Sequence, residues 1–192
     1  MTEVTVDTIL QALETAGQVP YGTEPVTELE HALQIADIAD EMSGDEELIL
    51  AALLHDIGRV AVRQDEISDT LVPDHMGKTS DGARGHDEAG ADLLKDRFSD
   101  RVLAGVRMHV AAKRYLCTVE PKYRDKISGG SETTLRMQGG LMNDAELEAF
   151  RATPYSEDAV QIRRWDDMAK TPGKPTRPLE YWRDLMARHM KP

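Results

Sequence analysis

Apolar residues along this chain recur three and four positions apart, and no stretch sustains the polar-apolar alternation of a strand. The pattern predicts an all-α bundle. Val6, Ile9, Leu10 and Leu13 mark a first amphipathic helix that ends near Gly17 and Pro20. A second begins at Thr27-Glu28-Leu29-Glu30, carries the stripe Leu29, Leu33, Ala36 and Ile38, and stops at Gly44. Residues 46–54 are apolar on nearly every side, which places them at the centre of the bundle, with His55-Asp56 at their exit. Residues 70–85 hold Pro73, Gly77, Gly82 and Gly85 among Asp, Ser and Thr, the punctuation of a long, lid-like loop. Helices are predicted again over 86–98 and 100–112, followed by a basic connector with aromatics over 113–124 and then Ser128-Gly129-Gly130-Ser131. Asn143 with Glu146 has the spacing of a capping box for a helix to Arg151, and Ser156 can cap another running through Lys170. Pro178 fits the start of a last helix that carries Leu179, Trp182, Leu185 and Met186.

A length of 192 residues (1–192) suits one domain, and an apolar fraction of 40% can fill a sizeable core. Asp and Glu number 35 against 23 Lys and Arg, a formal net charge of -12. Such a surface repels phosphate backbones and anionic membranes, so no nucleic acid and no membrane is expected as a partner. Residues 1–6 carry Glu3 where a leader would be basic, and no apolar run approaches the length of a bilayer span, so a cytoplasmic protein is expected. Cys117 stands alone, which excludes an internal disulfide and a CxxC zinc knuckle and leaves any metal to nitrogen and oxygen ligands.

Such ligands are present. Neighbouring side chains on a helix point about 100° apart, so His55 and Asp56 can share a metal centre only at its edge, with the carboxylate able to reach a second ion. By itself such a pair is more often a surface or capping feature than a metal ligand. His31, His55, His86 and His109 all fall on predicted helices, near an end or on the polar edge of an apolar face. Imidazoles and carboxylates on facing helices are how bundles build dinuclear sites, and a set without thiolate suits iron, manganese or another hard to borderline ion. Asp166 extends the set; it follows Arg163 by three residues on one helix face, a spacing shared by surface ion pairs. Lys113 lies four residues after His109, so a cation and a ligand project into the same space. That juxtaposition is costly unless an anion separates them, which points to an anionic substrate neutralised by Lys113, Arg163 and Arg59.

Through these residues the chain resembles the HD-domain superfamily, named for its consecutive His-Asp. The order His31, His55-Asp56, His86, His109, Asp166 is similar to the six-ligand set of its dinuclear members. Within the superfamily the chain looks most like the mixed-valent diiron oxygenases that split the carbon-phosphorus bond of 1-hydroxyphosphonates. Tyr21 and Glu24, ten and seven residues before His31, match that family's N-terminal Tyr-x-x-Glu loop. Lys113, Ser131 eighteen residues further on, and Arg163 three before Asp166 match the residues that grip the phosphonate. Two departures stand out. Arg59 replaces the second histidine of the amino-phosphonate enzyme's His-Asp-Ile-Gly-His, and the stretch between Asp56 and His86 is extended. Both lean towards a trimethylammonium substrate over a primary amine.

The resemblance implies an HD-domain helical bundle with a substrate-gating loop over about 18–27 and an Fe(II)/Fe(III) pair bridged by Asp56. His31 and Asp166 would join His55 on one iron, and His86 with His109 would bind the other. It further implies a dioxygenase that uses O2 to turn 1-hydroxy-2-(trimethylammonio or amino)ethylphosphonate, supplied by an upstream hydroxylase, into phosphate and glycine betaine or glycine. Lys113, Ser131, Arg163 and Arg59 would hold the phosphonate, Tyr21 would occupy the iron until substrate arrives, and Glu24 would meet the cationic nitrogen. Most HD-domain proteins are instead metal-dependent phosphohydrolases, and hydrolysis of a small phosphate ester would use the same His55, Asp56 and Asp166. An inositol oxygenase shares the diiron ligands but has little use for the cationic residues; a signalling module would bind a phosphorylated ligand without turnover.

Overall fold

The computed structural model describes residues 3–60 and 85–192, so His75 and all but the last residue of the loop expected over 70–85 lie outside the described residues. The first helices begin where the chain supplies its own caps. Thr5 and Thr8 form a reciprocal capping box over α1 (Val6–Thr15); Thr27 and Glu30 do the same for α2 (Glu28–Ser43), which Gly44 ends at a φ of 62°. Each cap satisfies amide hydrogens that no helical carbonyl reaches, an effect of about 1 kcal/mol. Between α1 and α2 the chain makes a tight loop, closed by an isolated antiparallel bridge from Pro20 to Thr27 and by the Tyr21 amide donating to the Val26 carbonyl at 2.9 Å. Asp45 caps α3 (Glu46–Leu54), in which Leu48 to Leu54 are all buried, and residues 57–60 are again helical.

The C-terminal part continues with α4 (His86–Leu94), α5 (Asp100–Val119), the short α6 (Pro121–Arg124), α7 (Gly129–Met137), α8 (Asp144–Ala152) and α9 (Ser156–Met168). A 3-10 turn at Leu179–Trp182 leads into α10 (Arg183–His189). The spine is α5, which packs against α3, α4 and α9, while α9 also packs against α2. Arg101 in the first turn of α5 holds Asp45 at 2.9 Å and Asp158 at 2.7 Å, tying together the N-terminal ends of α3, α5 and α9. Trp165 and Trp182 are buried in the main core. No helix among the described residues is long and apolar enough to cross a membrane.

Several boundaries depart from the sequence-based expectation. Phe98 is buried in the turn after α4 instead of extending that helix. The expected connector at Lys113-Arg114-Tyr115 belongs to α5, because its charges have partners inside the fold: Arg114 donates to the Gly140 carbonyl and to Glu146, and Ala112, Leu116 and Cys117 carry the buried stripe onward. Ser128 caps α7, a helix masked in the sequence by the weak helix propensity of Gly129-Gly130. Tyr155, not Ser156, is the N-cap of α9, at a φ of 62°, and that helix ends at Met168, short of Lys170.

Two glycines let the helix after Asp56 meet α4 backbone to backbone. A Cβ on Gly58 would lie 2.0 Å from the His86 carbonyl oxygen, and one on Gly90 would lie 3.0 Å from the Gly58 nitrogen. Backbone contact here brings His86 against Asp56. Gly58→Ala meets main chain that no rotamer change can clear, so it should cost about 1–3 kcal/mol as an overpacked site does. A lowered denaturant midpoint at unchanged slope is expected, and a variant as stable as the parent would contradict this packing.

Candidate metal centre

Five elements deliver six side chains to one buried point. His31 comes from the middle of α2, His55 and Asp56 from the exit of α3, His86 from the first position of α4, His109 from α5 and Asp166 from α9; all are 7% exposed or less. Three of the imidazoles are aimed by the main chain. Nδ1 lies 2.8 Å from the Ala169 carbonyl oxygen in His31, 2.7 Å from that of Ala52 in His55 and 2.7 Å from that of Val106 in His109. A carbonyl only accepts, so each Nδ1 carries the proton and each Nε2 turns a lone pair inward. Gln34, one turn beyond His31, exchanges two hydrogen bonds with the Thr171 backbone, at 2.8 and 3.0 Å, and so fixes the end of α9 against α2.

These nitrogens and that of His86 converge in two pairs. Nε2 of His31 is 3.3 Å from that of His55, and Nε2 of His86 is 3.0 Å from that of His109. Asp56 lies between the two pairs, with Oδ2 at 3.1 Å from His55 Nε2 and Oδ1 at 3.1 and 3.5 Å from those of His86 and His109. Asp166 Oδ1 approaches His31 Nε2 at 3.4 Å. Despite these short approaches, both Asp56 oxygens and Asp166 Oδ1 are buried and accept no hydrogen bond among the described residues. Facing acceptors with orphaned carboxylate oxygens fit cations and little else. Donor geometry makes this a metal centre, with one group at His31, His55 and Asp56 and a second at Asp56, His86 and His109.

Charge follows the same plan. Burial pushes the His31 imidazole down to about 4, which keeps its Nε2 lone pair free, whereas for His55 the downward pull of burial is outweighed by the Asp56 carboxylate, which lifts it to about 8, so a proton competes with a cation for its Nε2. Burial would raise the Asp166 carboxyl, but Arg163 and Lys170 hold it well below the usual carboxylate range.

A cavity of about 550 Å³ opens onto one side of this cluster, lined by Asp56, His86, His109 and Asp166 together with Tyr21, Glu24, Arg59, Lys113, Ser131 and Arg163. Every side chain singled out in the sequence therefore reaches the centre or its cavity, though not all in the expected manner. Arg163 donates to Asp166, to Asp167, to the Tyr123 hydroxyl at 3.0 Å and to Ser131 Oγ at 3.3 Å, a buried network where the spacing alone favours a surface pair. Lys113 is 4% exposed and donates to Thr134 Oγ1 at 2.7 Å. Arg59 directs Nε and Nη2 at Glu28, at 3.0 and 2.8 Å, and lies 5.0 Å above the Tyr21 ring, so its guanidinium is engaged within the wall and not turned wholly to an anion. Tyr21 stacks on His31 at 4.0 Å, and Glu24 accepts from the Ser128 hydroxyl. His189 is elsewhere, paired with Glu46 on the surface.

Sequence reasoning passed over Lys170, Thr134, Tyr123 and the Glu28 carboxylate. Only Lys170 had a readable signal: it follows Arg163 by seven residues and Asp166 by four, on one helix face.

The HD domain family matches residues 29–169. The chain is 40% identical over 169 residues to the hydroxymethylphosphonate dioxygenase of Gimesia maris, covering 88% of this chain and 79% of that one. It is 39% identical over 166 residues to the [1-hydroxy-2-(trimethylamino)ethyl]phosphonate dioxygenase (glycine-betaine-forming) of Leisingera caerulea, covering 86% and 79%. An uncharacterized protein, L432, of Acanthamoeba polyphaga mimivirus is 34% identical over 186 residues, or 96% of this chain and 81% of its own. Taken with the metal centre, these likenesses make the chain a member of the HD-domain family and an enzyme of its dioxygenase group.

Proposed function

We propose that the chain is a diiron dioxygenase that cleaves the carbon-phosphorus bond of a small 1-hydroxyphosphonate. The observation that best supports this is the pairing, in one cavity, of a two-sided Asp56 with a buried Lys113 ammonium that has a hydroxyl partner but no carboxylate within ion-pair distance among the described residues. A buried cation without a counter-ion beside a metal centre is a place for an anion. In the overall change, a 1-hydroxyphosphonate dianion and O2 together supply the atoms of a carboxylate, a phosphate dianion and one proton. One oxygen atom goes to carbon and the other to phosphorus.

In this reading His31, His55, Asp56, His86, His109 and Asp166 would hold the iron, with the Asp56 carboxylate placed between the two groups of imidazoles. Bound iron would supply O2 activation and the Lewis acidity that acidifies a C1 hydroxyl. The chain's own residues position the substrate. Ser131 Oγ already accepts from Arg163 Nη2 and Lys170 Nζ, both at 3.3 Å. Its two lone pairs are thereby used, and its single proton is left to donate to a phosphonate oxygen. Lys113 supplies the opposing charge: burial and the nearby Arg163 push its amine down to about 7, and a phosphonate oxygen beside it favours the charged form again. Gripping the leaving phosphorus group from two sides orients C1 towards the metals. Tyr21 and Glu24, on the loop between α1 and α2, form the wall through which substrate enters.

Lys113→Met should separate stability from function. The wild-type lysine is lowered in the folded state, so the unfolded chain binds more protons between about pH 7 and the ordinary value of 10.5, and wild-type stability rises across that window. Removing the amine should therefore stabilise most below about pH 7, by about 1 kcal/mol or about 2–4 °C in Tm, while KM rises more than tenfold. A variant with lower Tm and unchanged KM would make Lys113 a structural residue. For the reaction itself, the iron-loaded protein in air should release phosphate from hydroxymethylphosphonate or its trimethylammonio homologue with matching O2 uptake, and none under nitrogen. Cleavage of a phosphate ester under nitrogen, with both phosphonates inert, would make the protein a hydrolase instead.

A further inference from the structure

The cation at the loop end of the cavity carries the inference. Lys170 lies just past α9 with its side chain 11% exposed, and its Nζ donates to Ser131 Oγ at 3.3 Å. The same ammonium sits 3.6 Å from Asp167, 3.7 Å from Asp166 and 3.8 Å from Glu24 Oε1, and 5.8 Å above the Tyr21 ring. Glu24 Oε1 also takes the Ser128 hydroxyl proton, so this carboxylate is engaged from two directions. Asp166 and Asp167 are likewise committed, each receiving a guanidinium nitrogen of Arg163.

A substrate ammonium needs either an anion to spare or an aromatic cage. Among the described residues lining the cavity, the one aromatic side chain besides the histidines is Tyr21, whose ring is stacked on His31 and already faced by Arg59 at 5.0 Å. A cationic nitrogen directed at Glu24 would arrive beside Lys170, and like charges in a partly desolvated pocket repel strongly. Resting on the phosphonate-cleaving reading above, we propose that Lys170 is a specificity determinant: held between Glu24 and Ser131, it fills the anionic end of the cavity and selects 1-hydroxyphosphonates whose carbon chain carries no cationic nitrogen. The sequence alone, by contrast, leads to an expected substrate with a cationic nitrogen, trimethylated in preference to primary.

The test compares phosphate release by the iron-loaded full chain from hydroxymethylphosphonate and from 1-hydroxy-2-(trimethylammonio)ethylphosphonate, for wild type, Lys170→Met and Lys170→Arg. Wild type should favour hydroxymethylphosphonate at least tenfold in kcat/KM. Lys170→Met should shift that ratio at least tenfold towards the trimethylammonium substrate, chiefly through KM, and Lys170→Arg should retain the wild-type ratio. A wild type that prefers the cationic substrate, or a ratio unmoved by Lys170→Met, overturns the proposal. Should Lys170→Met lose its iron, Glu24→Gln carries the same test in the opposite sense: the preference for hydroxymethylphosphonate widens, and an unchanged ratio refutes the role of Lys170. Release from neither substrate by wild type refutes the phosphonate reading itself, and this proposal with it.

Discussion

The Asp56 carboxylate is the constraint on which the rest of the molecule depends. It is buried, it accepts no hydrogen bond among the described residues, and each of its oxygens faces a different set of imidazole nitrogens. A carboxylate so placed is a severe liability in a helical bundle unless cations complete it. Burial would raise its pKa, but the surrounding imidazoles, His55 foremost, hold it well below the usual carboxylate range. The charge is thus kept in place, and the fold is arranged to bring partners to it.

That arrangement explains features that would otherwise look unrelated. Backbone contact between Gly58 and Gly90 delivers His86, the Ala52 and Val106 carbonyls aim His55 and His109, and Gln34 anchors the chain beyond Asp166. Around this centre the cations are not equivalent. Arg163 and Lys170 are surrounded by Asp166, Asp167 and Glu24 and contribute orientation more than net charge, whereas among the described residues Lys113 donates to a threonine hydroxyl and pairs with no carboxylate. In the proposed reading, an incoming dianion would find its counter-charge at Lys113 and its alignment at Ser131.

Much of this was legible in the sequence because helical spacing and residue chemistry carry it. The capping boxes at Thr27-Glu30 and Asn143-Glu146, the buried run before His55 and the six ligand-type side chains all follow from local pattern. What escaped was decided by contacts distant in the chain. The continuation of α5 past Ala112 depends on Arg114 meeting Glu146, and the helix behind Ser128 depends on a cap that overrides two glycines. Arg59 looked like an anion ligand because nothing local reveals that Glu28, thirty-one residues earlier, takes its guanidinium. Lys170 falls at the expected end of a helix, which hides its place as the third member of the face that carries Arg163 and Asp166.

The account stands or falls on whether two metals flank Asp56. Anomalous X-ray scattering at the iron edge, from crystals of protein grown and purified with iron, measures this directly. Two peaks are predicted, one among His31, His55 and Asp166 and the other at His86 and His109, with the Asp56 carboxylate between them. A single peak, or none within this cluster, would contradict it.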